Sequence, residues 1–127
     1  MNKQMRLAED ALKSARILLE AHDHVGAANR AYYSMFYVAR AAVAHVTGIE
    51  ITKVKTHHGL RRLFELHVVK PGLISRDIAR SFNEVEETRI AADYADQVLQ
   101  RAEVEAAIQD AESFVKACEL MIRNKPP

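Results

Sequence analysis

Apolar residues recur at steps of three and four along most of the chain, which is the spacing of amphipathic helices. The first predicted helix covers about residues 3–21, and its inward positions are expected to be Leu7, Ala11, Ala15 and Leu18. The second begins after Asp23, a suitable N-cap, and ends near Val46. Because apolar residues cover more than half of its circumference, the second helix is predicted to be the central one.

Three further helices follow in the pattern. Thr56 is a good N-cap for the third helix, which Pro71 ends, and Ser75 can cap the fourth. The apolar stripe lapses over 93–101, so we expect a break there and a fifth helix from about Glu103. The predicted inner face of the third helix consists of Leu60, Leu63, Phe64 and His67.

Composition agrees with a helical fold. The chain has four glycines, three prolines and no tryptophan, and alanine dominates its apolar share. This favours closely packed helices over a sheet. No internal repeat or linker divides the chain. We therefore predict an all-α fold, a single domain over 1–127 built as an up-and-down bundle of four to five helices.

Charge is balanced overall but unevenly distributed. The net charge is +1. The stretch 53–70 has a single acid, Glu65, among five basic residues: Lys53, Lys55, Arg61, Arg62 and Lys70. The stretch 84–112, in contrast, holds nine acids and two arginines. Two oppositely charged surfaces suit self-association or a charged partner, and ordinary solvated helix faces are the alternative.

The chain carries no sign of an oxidised or membrane environment. Its one cysteine, Cys118, lies on an apolar helix face and cannot form an internal disulfide. The first residues mix charges and lack the apolar segment of a signal peptide. No apolar run approaches the length of about 20 residues that spans a bilayer. We expect a cytoplasmic protein.

An arginine interrupts the apolar stripe of the fourth helix. Ile78, Phe82 and Val85 are followed on the same face by Arg89. Burying its permanent charge unpaired would cost several kcal/mol, on the order expected for buried ions. Arg89 therefore either pairs inside the bundle with Asp93, one turn on, or lines a cleft that holds an anion.

Other polar residues lie at positions where they could meet that arginine. Asn29, Tyr33 and Arg40 share a narrow stripe on the second helix, as a buried network or as part of a cleft. His57 is in the first turn of the third helix, close to Lys55, where free N–H groups favour an anion. A hydrogen-bonded core histidine is the alternative there.

Metal and cofactor sites are not expected. The chain has no Glu-x-x-His motif, which helical di-iron sites require, and no Gly-rich phosphate loop. Cys118 lacks the electropositive surroundings that activate a thiol.

Three runs of residues together resemble the HEPN domain family. They are 29–36 (NRAYYSMF), 55–57 (KTH) and 89–94 (RIAADY), and the resemblance extends over essentially the whole chain. It implies an all-α bundle that dimerises and that binds or cleaves RNA. Stand-alone prokaryotic members are commonly paired with a small nucleotidyltransferase in toxin–antitoxin modules.

The resemblance also assigns roles to residues. Nuclease members use an arginine followed after four to six residues by a histidine, but no histidine follows His67 here. Arg89 would hold the phosphate, and Asp93 would orient the Arg89 side chain. Asp93 or Tyr94 would also take the place of the missing histidine. The residues expected to complete the phosphate or nucleotide site are Asn29, Tyr33, Lys55 and His57.

Three functions remain open from the sequence. The first is binding of RNA or nucleotide phosphate within a toxin–antitoxin or defence module, with or without metal-independent endoribonuclease activity. The second is a non-catalytic subunit that helps a nucleotidyltransferase bind its nucleotide, and the third is a purely structural dimerisation bundle. A homodimer is expected in each case, without a membrane, DNA, metal or cofactor.

Overall fold

The computed structural model describes residues 2–94 and 98–124, and its regular structure is entirely helical. A 3-10 turn at Ile51–Lys53 precedes the third helix, and a π-helical turn over Glu65–Val69 extends it. The all-α prediction is therefore confirmed. The five helices are α1 (Lys3–Glu20), α2 (His24–Thr47), α3 (His57–Phe64), α4 (Arg76–Ala92) and α5 (Arg101–Asn124).

Local sequence signals set the helix ends. The side chains of Asp23, Thr56 and Ser75 each accept a hydrogen bond from the backbone N–H three residues on, as N-caps do. Gly48 ends α2 in the left-handed conformation, with φ of 76°, which a residue without a Cβ adopts at no steric cost. Helix α4 ends at Ala92 and α5 begins at Arg101, which confirms the predicted break.

Helix α2 is central, as predicted, and packs against α1, α3, α4 and α5. Its residues Tyr32, Met35 and Val38 are fully buried. Three phenylalanines from the surrounding helices meet beside it with ring centroids 5.1 to 6.1 Å apart. They are Phe64, Phe82 and Phe114. Each buried ring of this kind stabilises the fold by about 1.5–3 kcal/mol.

Two predicted inner faces are correct in part: Ala11 and Ala15 of α1 and Leu60 and Phe64 of α3 are buried as predicted, whereas the other predicted positions are only half-buried. Ala8 and Leu19 of α1 are buried, whereas Leu7 and Leu18 are only half-buried. Small residues let two helix backbones approach closely, so alanines occupy the seam with α2 and leucines flank it. The π-helical turn adds a residue after α3, which buries Val68 and Val69 and leaves His67 half-buried, not central.

Within the described residues, the structure contains no helix that combines the length and the apolarity needed to cross a bilayer.

Candidate functional site

Arg89 points into the bundle from the last turns of α4. Only 18% of its side chain is exposed. Its guanidinium carbon lies 4.7 Å from the centroid of the Tyr32 ring on α2, a cation–π contact. The positive charge is thus held against the tyrosine-bearing central helix.

Within the described residues, the hydrogen-bonding capacity of Arg89 is not saturated. Its Nη2 lies 3.9 Å from Oε2 of Glu86, and its Nη1 lies 3.8 Å from Oδ2 of Asp93. Both distances are too long for hydrogen bonds. Its Nε is buried without a partner in the described structure. Asp93 is 62% exposed, so solvent screens its charge, and the guanidinium keeps donors for a further anion.

Glu86 is the carboxylate around which the site is built. It is 17% exposed, and its Oε1 accepts a hydrogen bond from Nη2 of Arg61 on α3. Its Oε2 lies 3.7 Å from Nδ1 of His57. A single buried carboxylate thus faces two guanidinium groups and an imidazole. We refer to Tyr32, His57, Arg61, Glu86 and Arg89 as the polar cluster.

The Tyr32 hydroxyl joins the two sides of the polar cluster. Its oxygen is 2.7 Å from Nδ1 of His57. Burial raises the pKa of the Tyr32 phenol above its usual range, and the charge of Glu86 and a hydrogen bond to it raise it further. The phenol therefore stays protonated. Its hydrogen bond with Nδ1 of His57 fits either imidazole tautomer, and in the tautomer where Nδ1–H donates to the phenol oxygen, Nε2 carries the lone pair.

Two residues predicted for the cleft, Tyr33 and Asn29, each contact Arg30. Tyr33 packs edge-on against the His57 ring, with centroids 5.9 Å apart, and carries the Arg30 guanidinium at 5.3 Å. Asn29 accepts hydrogen bonds from Arg30 at 3.1 and 3.2 Å. The ring against Arg89 belongs to Tyr32, the neighbour of the predicted Tyr33, whose side chain points about 100° away around the helix.

The other predicted residues are more peripheral. Lys55 is exposed. Tyr94 follows α4 and is 59% exposed, and its backbone N–H donates to the carbonyl of Ala91 at 3.2 Å. Arg40 lies over the Phe36 ring at 5.5 Å and donates to the carbonyl of Ile51 at 3.0 Å. Of the residues predicted from the sequence, Arg89 and His57 belong to the polar cluster, and Asp93 lies at its edge.

Sequence reasoning missed Tyr32, Arg61 and Glu86 as site residues. Glu86 precedes Arg89 by three positions, a spacing that places the two on neighbouring positions of one helix face. That signal was present, although Asp93 offered an equally good spacing. Tyr32 reads as an ordinary member of an apolar stripe, and Arg61 as part of a solvated basic segment.

The described residues offer no grouping of three His, Cys, Asp or Glu side chains that could share a metal ion. Cys118 is fully buried, and this burial raises the pKa of its thiol well above the usual range. The thiol therefore stays protonated.

Comparison with known proteins identifies the family. The family model described as the HEPN domain matches residues 1–121. A UPF0332 protein of Thermotoga maritima is 30% identical over 94% of this chain and 88% of its own length. A Methanocaldococcus jannaschii protein named "Putative toxin MJ0605" is 32% identical over 87% of this chain and 80% of its own length. The resemblance drawn from the sequence is thereby confirmed, and this chain belongs to the HEPN domain family.

Proposed function

We propose that this protein binds RNA at the polar cluster, where Arg89 holds a phosphodiester, and that it cleaves the RNA there without a metal. The observation that carries the proposal is the state of Arg89. Its side chain is 18% exposed, yet its closest carboxylate oxygens are 3.8 and 3.9 Å away. A guanidinium held in this way retains a planar fork of donors that matches two phosphate oxygens.

The charge around Arg89 also favours an anion. Arg61 and Arg89 together carry two positive charges against the largely buried carboxylate of Glu86, while the charge of Asp93, 3.8 Å from Arg89 but 62% exposed, is screened by solvent. In a partly buried site this excess is screened less than on an open surface. A phosphodiester, with one negative charge and two free oxygens, would neutralise it.

His57 is the candidate general base. Metal-free RNA cleavage removes a proton from the 2′-hydroxyl, whose oxygen attacks the adjacent phosphorus and displaces the 5′-oxygen, which takes up a proton. Nδ1 of His57 lies 2.7 Å from the Tyr32 hydroxyl, and with the ring proton on Nδ1 the free Nε2 would accept the first proton. The imidazolium formed would be stabilised by Glu86, 3.7 Å from Nδ1. The expected products are a 2′,3′-cyclic phosphate and a 5′-hydroxyl.

The proposed setting is a toxin–antitoxin or defence module, and the name of the Methanocaldococcus relative supports it. The chain would act there as a homodimer, with a small nucleotidyltransferase as the other protein of the module. Ile90 and Tyr94 support self-association, because these large side chains are 41% and 59% exposed beside Arg89.

Cleavage in the presence of a chelator tests the proposal. Purified protein is incubated with end-labelled RNA and EDTA, and the product ends are identified. Wild type should cut, whereas Arg89→Gln and His57→Gln should each reduce the rate by about a hundredfold or more, the range of a lost transition-state donor or a lost base. His22→Asn, at an exposed histidine between α1 and α2, is the control and should cut normally.

Two outcomes would count against the proposal. Intact RNA with the wild type in EDTA would exclude metal-free cleavage and leave only the binding role. If a folded Arg89→Gln variant cleaves RNA at the wild-type rate, Arg89 is not part of the site. Folding of each variant is checked by circular dichroism and thermal unfolding.

A further inference from the structure

A cleft runs between α3, its π-helical extension and α4, on a side of the molecule where the sequence is basic. Its larger part has a volume of about 370 Å³ and is lined by Arg61 and Arg62, with Phe64 and Phe82 also in its wall. A smaller part of about 200 Å³ is lined by Arg76 and Arg80. The two parts form one elongated depression, since they share Glu65, Val69, Ala79 and Asn83.

Four arginines therefore line this depression, which we call the arginine groove: Arg61, Arg62, Arg76 and Arg80. The carboxylates that accompany them are weak partners. Glu65, 57% exposed, lies 3.5 Å from Arg76, and Asp77, 90% exposed, lies 3.2 Å from Arg80. Exposed pairs of this kind contribute little and exchange readily. Arg62 has no ion pair within the described residues.

Arg61 connects the arginine groove to the polar cluster. Its Nη2 bonds to Glu86 while its side chain lines the groove. Its guanidinium also lies over the Phe82 ring at 5.4 Å, which holds it in place. An anionic chain bound at Arg89 could thus continue into the groove past a guanidinium common to both.

We propose that the arginine groove binds the phosphodiesters of the RNA strand that flank the phosphate held at Arg89. This extends the proposed function and rests on it. Cations spaced along a depression suit a repeating anion better than a single phosphate. The groove reads the backbone and not the bases, because Phe64 and Phe82 are each only 3% exposed and present no open ring for stacking.

The test measures how binding depends on salt. Fluorescence anisotropy follows a short 2′-O-methyl oligouridylate, which cannot be cleaved through its 2′-oxygen, between about 50 and 200 mM salt. Replacing Arg62 and Arg80 together by glutamine should weaken binding about tenfold at the lower salt and reduce the log–log salt slope by about 1.4, at roughly 0.7 per lost phosphate contact. An oligocytidylate should lose affinity equally.

The charge-matched control replaces Lys13 and Lys116, exposed residues of α1 and α5, by glutamine. It should leave both affinity and slope close to wild type. An unchanged slope in the folded Arg62→Gln/Arg80→Gln variant, with wild type binding normally, would overturn the groove proposal alone. A second result would instead overturn the proposed function. In it the Arg62→Gln/Arg80→Gln variant shows the expected loss of affinity and slope, but Arg89→Gln binds RNA as tightly as wild type. If wild type binds no RNA, both fall.

Discussion

The hydroxyl oxygen of Tyr32 lies 2.7 Å from Nδ1 of His57, and the two rings stack 16° from parallel with centroids 5.4 Å apart. The hydrogen bond engages Nδ1 of the imidazole, and the stacking sets the plane of its ring. The two residues are 25 positions apart on different helices. The pairing therefore depends on how α3 docks on α2, and it gives this site a histidine that does not follow Arg89 in sequence.

Removing the Tyr32 hydroxyl should separate catalysis from binding. Tyr32→Phe keeps the ring under Arg89 but deletes the group between His57 and Glu86. We expect the free energy of unfolding to fall by about 1–2 kcal/mol, the cost of leaving buried polar partners unsatisfied. RNA cleavage should fall by about tenfold or more, since the base is no longer oriented, with RNA affinity nearly unchanged. Tyr33→Phe is the control, and an equal loss of cleavage in it would contradict this role.

Neutralising Glu86 should have opposite effects on stability and on anion binding. Glu86→Gln leaves Arg61 and Arg89 without their shared carboxylate, so unfolding should become easier by about 2 kcal/mol. This is less than for a fully buried pair because Arg61 is partly exposed. RNA affinity should rise, because the excess positive charge grows. Urea unfolding and anisotropy measure the two effects. Glu87→Gln, the exposed neighbour, should change neither, and a drop in RNA affinity with Glu86→Gln would refute the electrostatic account.

Stability should fall as pH rises from about 4.5 to about 7 because of Glu119 on α5. Burial, then a hydrogen bond to Glu9 and its charge, raises the pKa of Glu119 from 4.5 to about 7, against the opposing charge of Arg123. The folded protein thus holds a proton that the unfolded chain releases. The contribution is fully present below pH 4.5 and is lost as pH rises through about 7. Because the carboxyl is partly exposed, screening limits the change to about 1 kcal/mol.

Replacing that carboxyl checks the sign. Glu119→Gln should be about 1 kcal/mol more stable than wild type at alkaline pH and should flatten the pH profile, as measured by urea unfolding. Asp110→Asn, an exposed position on the same helix, is the control. A profile for Glu119→Gln that still falls across neutral pH would assign the effect to another group.

The aromatic junction beside α2 should dominate stability. Phe114 is fully buried and contacts the rings of Phe64 and Phe82 at 5.5 and 5.1 Å. Phe114→Ala should cost about 3–5 kcal/mol through lost burial and a cavity, and Phe114→Leu clearly less. Urea denaturation measures the free energy of unfolding of each variant. We expect the dependence of that free energy on urea concentration to match the wild type. A loss below about 1 kcal/mol for the alanine variant would mean that the junction can collapse around the gap.

The fold could be predicted from the sequence because its signals are local. The caps Asp23, Thr56 and Ser75 and the stop at Gly48 act within a few residues of themselves. The breadth of the apolar surface on α2 indicated its central place. The errors at Leu7 and Leu18 arose because hydrophobicity favours leucine inside, whereas the close approach of α1 and α2 selects alanine.

The site was predictable only in part. Arg89 stood out because a permanent charge in an apolar stripe conflicts with its surroundings. The sequence does not show how α2 is rotated about its axis, so it could not show that Tyr32, and not Tyr33, lies against Arg89. Arg61 comes from a helix whose docking no local pattern encodes, so its bond to Glu86 appears only in three dimensions.

The claim that Arg89 holds a phosphodiester is tested most directly by equilibrium binding of a cleavage-resistant oligoribonucleotide to folded Arg89→Gln and Arg89→Lys proteins. The account predicts that Arg89→Gln lowers affinity by about tenfold or more, and that lysine restores it only in part because it lacks the planar fork. Equal affinity of wild type and Arg89→Gln across the salt range would contradict the account.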